Sequence, residues 1–252
     1  MAEYFHINYE FSHDVVLERI REHCVCDAKA AYLCVVDGNV LVQVHRDQDY
    51  REVVQGALFS ICDSSWVPLY LRRIYGFKPS QYSGSEIFRD ITGSQRYRMA
   101  FLGASADVLN ALRDRLSAGN PGVQDMLFMD LPFLSVEDFD YEAIASVLNA
   151  DRPDIVWVAL GAPKQERFAA RLAPLLDRGV ILPVGAVFNF FSGTGIRRAP
   201  DWMVRMHLEF VYRIFREPRK QWRRVRNILC FTPAILREER IKAASCKDSS
   251  NE

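Results

Sequence analysis

Two apolar runs in the middle of the chain break at glycine and lead into helical periodicity. In RMAFLGASADVLNALRDRL, Met99 to Leu102 read as a buried strand and Asp107 onward as a helix. DIVWVALGAPKQERFAARLAPLL repeats the pattern, and a third apolar run, GVILPVGAVFNFFSG, follows its helix. Residues 97–190 therefore predict strand, helix, strand, helix, strand, the order of a parallel sheet covered by helices. The fold class is α/β.

The first third supports two readings. YLCVV, Asp37-Gly38 and NVLVQV fit a β-hairpin with a two-residue turn. The same residues fit a strand ending at Val36 and a helix through HRDQDYREVVQGAL, with Val40, Val44, Val53, Val54 and Leu58 at helical spacing. SICDSSWVPLYLRRIYG reads as a short strand, a turn at Asp63-Ser64-Ser65 and an amphipathic helix. From Trp202 the pattern is helical, with Met206, Phe210, Val211, Ile214 and Phe215 apolar among arginines. Glu217-Pro218 interrupts it, a second basic helix starts near Arg219, and a last short helix is expected between Thr232-Pro233 and Ala244.

Charge sharpens this picture. The 252 residues hold 32 basic and 32 acidic side chains, yet residues 195–226 carry ten Lys or Arg against Asp201, Glu209 and Glu217. That segment is +7 and the rest of the chain −7, so an acidic body ends in a basic quarter suited to an anionic partner. Trp202, Phe210, Phe215, Trp222 and Phe231 interleave with these arginines, as expected of a helix lying among lipid headgroups. Six cysteines without paired CxxC spacing and an N-terminus without the basic-then-apolar order of a signal peptide predict a reducing cytoplasm. No apolar run reaches the roughly 18 residues of a spanning helix, so membrane contact is expected to be peripheral, on the inner face. The five histidines show no ligand spacing, which argues against a zinc site.

Candidate chemistry begins at LGAPKQE. Gly161, Ala162 and Pro163 fall between a strand and a helix, where small residues admit close backbone approach and free helix N–H groups favour an anion. Lys164 and Gln165 add a charge and an amide able to pair with a base or sugar edge. Asp138-Phe139-Asp140 looks like a metal-binding DxD but directly precedes YEAIASVL, where aspartates cap a helix. A dinucleotide oxidoreductase is disfavoured because no G-x-G-x-x-G occurs. A basic-tailed nucleic-acid or nucleotide-binding module is the alternative to an enzyme, although nucleic acid is not the favoured partner.

Taken in order, LGAPKQERFAARL, VGAVFNFFSG, RRAP and LEFVYRIFREPRKQWRR resemble the WecG/TagA/CpsF glycosyltransferase family, glycosyltransferase family 26, over roughly residues 31–230. The resemblance implies a Rossmann-like, mainly parallel body (1–195), a basic helical appendage that docks on the membrane (196–244) and a short tail (245–252). It also implies inverting transfer of a sugar, commonly N-acetylmannosamine-type, from a UDP donor to a polyprenyl-diphosphate-linked sugar. Such a reaction needs a base for the acceptor hydroxyl and positive charge for the departing diphosphate. Asp63 stands where the family carries an aspartate in an Asp-Gly turn, with Ser64 replacing the glycine, and is the candidate base; a cap on the following helix is its structural alternative.

Arg213, Lys220 and Arg223 match tail positions implicated in completing the site, so arginine and lysine are expected to do the work of a metal and no metal cofactor is expected. Donor contacts are assigned to Asp37, Gly84, Gly103, Gly161, Gln165, Gly185 and Asn189. The chain departs from the family at three places. A Thr-x-Asn strand end aligns with Val35-Val36-Asp37, an arginine with Gln81, and a Phe-Asp with Phe188-Asn189. A changed sugar donor or a loss of activity would each follow from such departures. The alignment favours a strand to Val36 followed by a helix. A homo-oligomer is left open.

Overall fold

The computed structural model describes residues 2–26, 28–194 and 218–248, excepting the side chains of 2, 218–221, 223–224 and 246–248. One stretch of chain organises it. β3 (Ala31–Tyr32) and β4 (Cys34–Val36) are separated only by Leu33, and at that residue the strand passes from one sheet to the next. β3 pairs with β9 (Val180–Pro183), and beyond it lie β8 (Ile155–Ala159), β6 (Met99–Gly103) and β7 (Leu127–Met129), all parallel. β4 pairs in parallel with β5 (Ser60–Cys62), then β2 (Ile7–Tyr9), while β1 (Ala2–Tyr4) closes the edge as the antiparallel arm of a hairpin.

The pleat sends successive side chains to opposite faces, and both faces are covered. Cys34, Val36, Ala100, Leu102, Val156, Val158 and Ile181 enter one core. Leu33, Val35, Met99, Phe101, Ile155, Trp157, Val180 and Leu182 enter the other. The first core is roofed by α2 (Gly38–Arg46), α3 (Gln48–Gln55), α4 (Val67–Tyr75), α7 (Tyr141–Asp151), α8 (Lys164–Leu172) and α10 (Pro218–Asp248). The second is roofed by α1 (His13–Val25), α5 (Gly84–Ser94), α6 (Ala106–Gly119) and α9 (Val187–Ser192). The α/β reading holds.

The hairpin alternative for residues 32–45 is not what forms. Asp37 ends the strand and turns its carboxylate onto Asn39 N (2.9 Å) and Val40 N (2.8 Å), capping α2. The helix expected to continue through residue 58 is divided at Asp47. There the backbone is extended (φ −130°) and the side chain caps α3 through Tyr50 N while pairing with Arg167 at 2.7 Å. The sequence reading does not include three short strands, β1, β2 and β7.

At the other end, the break expected at Thr232-Pro233 is absent: α10 runs through Pro233. Thr232 just before it donates its hydroxyl to Ile228 O at 2.6 Å. Ile235, Glu239 and Ala243 recur every four residues and are buried, so packing on α2 and α4 outweighs the local cost of the proline. Trp222 and Leu229, seven residues apart, stay exposed. Among the described residues no helix is long and apolar enough to cross a membrane.

Candidate active site

Where neighbouring strands of a parallel sheet send their following helices to opposite faces, a crevice opens at their carboxyl ends. Here the strand that pairs with β9 as β3 runs on through Leu33 into the second sheet as β4, and the helices that follow β4 and β9 part in the same way: α2 leaves over one face and α9 over the other. Asp37 stands at the end of β4, and Gly185 follows β9 with φ +59°. The register Val36↔Cys62 sets Asp63, at the end of β5, beside Asp37.

Asp63 is partly buried and firmly held. Its backbone N donates to Val36 O (3.0 Å), and its carbonyl accepts from Gln81 Nε2 (2.8 Å). Its Oδ1 accepts from the backbone N of Gly84 (2.9 Å), the first residue of α5. The partial positive charge of a helix N-terminus favours a carboxylate there. Asp63 does not cap the helix that follows it, because α4 has no side-chain cap and Ser64 Oγ takes Trp66 N instead.

Gly84 is needed at this place for space. A Cβ on it would lie 3.3 Å from Val35 Cγ1 and 3.6 Å from Val187 Cγ2, so its bareness lets α5 approach β4 and α9 together. Ser83 and Glu86 complete a reciprocal capping box, with Ser83 Oγ receiving Glu86 N (3.3 Å) and Glu86 Oε2 receiving Ser83 N (2.8 Å). Ser83→Ala is therefore expected to cost about 1 kcal/mol of stability, read by urea denaturation, with a small loss of activity through a less rigid Gly84 N.

The LGAPKQE joint is built differently from its sequence reading. Gln165 is buried, its Oε1 accepts from Gly161 N (3.0 Å) and its Nε2 donates to Glu166 Oε1 (2.9 Å). The amide expected to meet a base or sugar edge is thus spent inside the protein, fixing the loop after β8. Gly161 itself, at φ +79°, faces open space. Gly185 packs on this same amide, since a Cβ there would be 3.3 Å from Gln165 Oε1. Lys164 turns to the 131–139 loop, donating to Leu134 O with its ammonium over the Phe133 and Phe139 rings.

Glu166, completely buried, is the residue that sequence reasoning passed over. Burial pushes its carboxyl up to about 7, against the lowering effect of Gln165. The Tyr50 hydroxyl and Glu166 Oε2 lie close enough to influence each other's ionisation, yet neither has a well-formed hydrogen bond among the described residues. A glutamate directly after the glutamine of a strand–glycine–helix joint was the available signal, since an apolar residue at that inward position would read as ordinary core.

Other assigned residues are distributed around this centre. Gly103, at φ +93°, ends β6 where a Cβ would meet Ala159 O at 2.9 Å, so it serves close packing of β6 on β8. Asn189 is partly buried on α9, and its carbonyl accepts from Ser192 Oγ. Asp140 caps α7 through Ala143 N (2.9 Å), which answers the DxD question in favour of the cap. Arg213 lies outside the described residues, as do the side chains of Lys220 and Arg223.

The backbone of α10 does bear on the last two. Ile228 meets the start of α2 at Gly38, and Glu238 meets His45 near its end, so the two helices run in the same direction. Followed back from Ile228 at 1.5 Å per residue, α10 carries Arg223 about 7 Å and Lys220 about 12 Å beyond Gly38, on the side of the strand carboxyl ends.

Comparison with known proteins agrees with this geometry. A model of the Glycosyl transferase WecG/TagA/CpsF family matches residues 5–245. The chain is 27% identical over 229 residues to the N-acetylglucosaminyldiphosphoundecaprenol N-acetyl-beta-D-mannosaminyltransferase of Bacillus subtilis (strain 168), covering 90% of this chain and 87% of the relative. It is 28% identical over 218 residues to the enzyme of the same name from Bacillus spizizenii (strain ATCC 23059 / NRRL B-14472 / W23), covering 85% and 82%. With an aspartate held on a helix N-terminus at the carboxyl edge of a parallel sheet, and a family match running almost end to end, the chain belongs to the WecG/TagA/CpsF family of glycosyltransferases.

Proposed function

We propose that this enzyme moves a sugar, of N-acetylmannosamine type or another hexose derivative, from a UDP-sugar to a polyprenyl-diphosphate-linked sugar, with inversion, in assembly of a cell-surface polysaccharide. The observation that carries the reading is Asp63, whose carboxylate is oriented by Gly84 N beside the β4–β9 crevice. The names of the two Bacillus relatives supply the acceptor class and the sugar type.

In the mechanism, Asp63 takes the proton of the acceptor hydroxyl as that oxygen attacks the anomeric carbon, and the nucleoside diphosphate departs from the opposite face. Gly161, its N–H held by Gln165, and Gly185, packed on the same amide, shape the donor side. Arg213, Lys220 and Arg223 neutralise the diphosphates in place of a metal. Exposed Trp222 and Leu229 on α10, among the tail's basic residues, provide an apolar and cationic surface for the inner face of the membrane.

Incubating the purified chain with a panel of UDP-sugars and a short-chain polyprenyl-diphosphate N-acetylglucosamine should yield a new lipid-linked disaccharide with one donor. Consumption of no donor, with the protein folded and vesicles present, would refute the reading. The changes at Val35, Asp37, Gln81 and Asn189 are expected to shift which sugar is taken. Gln81 already has a structural task here, holding Asp63 O and accepting from His13 Nε2 (3.0 Å) through its carbonyl.

A further inference from the structure

His6, His45 and Glu238 are remote in sequence, and no spacing rule groups them. The fold brings their ligand atoms within 4.8 Å of one another. We infer that these three side chains bind a divalent transition ion of the zinc class, which staples α10 to the N-terminal hairpin and to α2.

Each ligand is presented by a different element. His6 sits in the β1–β2 turn, where Phe5 (φ 54°) and His6 (φ 59°) are both left-handed, as a two-residue hairpin turn demands. Its Nε2 lies 2.6 Å from Glu238 Oε1. His45, in the last turn of α2, uses Nδ1 at 3.0 Å from Leu41 O. That hydrogen bond makes Nδ1 the donor and leaves Nε2, 3.9 Å from Glu238 Oε2, as the nitrogen able to ligate. The His6 and His45 rings are 5.4 Å apart. Two imidazoles and a carboxylate leave a fourth position for water, a donor set that suits zinc and its neighbours in the first transition row.

The surroundings hold the ligands in place without competing for the ion. Glu239, the next residue, is buried and spends its carboxylate on Phe5 N (2.9 Å) and the Tyr75 hydroxyl (2.7 Å). Lys242 pairs with Glu3 one turn further along. Arg51, whose Nε donates to Val44 O, is the charge nearby that opposes a cation. The cluster stands at the opposite end of α2 from Asp37, about 12 Å along the helix, so it is separate from the crevice where transfer is proposed. Because the three ligands come from the hairpin, α2 and α10, binding couples directly to docking of the helix that bears the tail cations.

The test uses the full chain, stripped with a chelator and titrated with zinc against a chromogenic competitor. One equivalent should bind, and Glu238→Gln and His6→Asn should each weaken binding tenfold or more. Glu238 is about half exposed, so its variant is expected to fold, and circular dichroism checks this. Cobalt in place of zinc should give visible d–d bands without a thiolate charge-transfer band, which separates this site from the exposed Cys26 and Cys230. Zinc should also slow amide exchange in residues 228–243 of the wild type and leave that of Glu238→Gln unchanged. Absence of saturable binding, binding unaltered in both variants, or a thiolate band would each overturn the proposal.

Discussion

Asp63→Asn is expected to lower the rate of sugar transfer by ~10²–10⁴-fold, the range a positioned general base contributes, equivalent to about 3–5 kcal/mol of transition-state stabilisation. The substitution is nearly isosteric, and the asparagine oxygen can still accept from Gly84 N, so the turn after β5 should keep its shape. Its amide, however, cannot take a proton. UDP affinity, measured by calorimetry or fluorescence competition, should stay within a few-fold of wild type, since the loss belongs to the chemical step. Turnover close to wild type would remove Asp63 from the proton transfer, and a parallel collapse of UDP binding would make it a binding residue instead.

The parts of this site that were legible in the sequence are those whose chemistry is local. The runs ending at Gly103 and Gly161 reported buried parallel strands because side chains covered on both faces leave long apolar stretches. Asp63 was singled out through its motif, and the structure adds what a motif lacks, a donor from residue 84. Gln165 shows the limit. An amide at a strand–helix joint reads the same whether it faces ligand or interior, and only the fold reveals that Gly161 N and Glu166 consume it.

The same limit explains the tail and the histidines. Pro233 carries a strong local break signal, but beyond it Ile235 and Ala243 are buried against the body and Glu239 bonds Phe5 N and the Tyr75 hydroxyl there, contacts that hold the helix continuous. His6, His45 and Glu238 are gathered by a left-handed turn, a helix end and a C-terminal helix. That juxtaposition has no linear signature, so spacing rules for metal ligands were bound to miss it.

Glu166 should make this protein lose stability as pH rises through the mildly acidic range. The unfolded chain gives up this proton near pH 4.5, whereas in the native state burial, the largest cause, holds the carboxyl up to about 7. Between those values the unfolded state binds fewer protons than the native one, so stability declines with increasing pH and levels off above 7. The size is about 3 kcal/mol, from a shift of some 2.5 pH units at 1.36 kcal/mol each. Glu166→Gln keeps the shape and an oxygen for Gln165 Nε2 while removing the titration. Urea unfolding at pH 4.5 and pH 8 should therefore show wild type losing about 3 kcal/mol more than the variant across that interval. Equal slopes would mean that Glu166 is ionised and satisfied in the folded protein. What the protein gains for this cost is position: Glu166 orients Gln165, Gln165 fixes Gly161 N and supports Gly185, the two glycines proposed to shape the donor side of the crevice. Glu166→Leu, which fits an apolar interior but offers Gln165 no acceptor, should accordingly raise the KM for the sugar donor more than Glu166→Gln does.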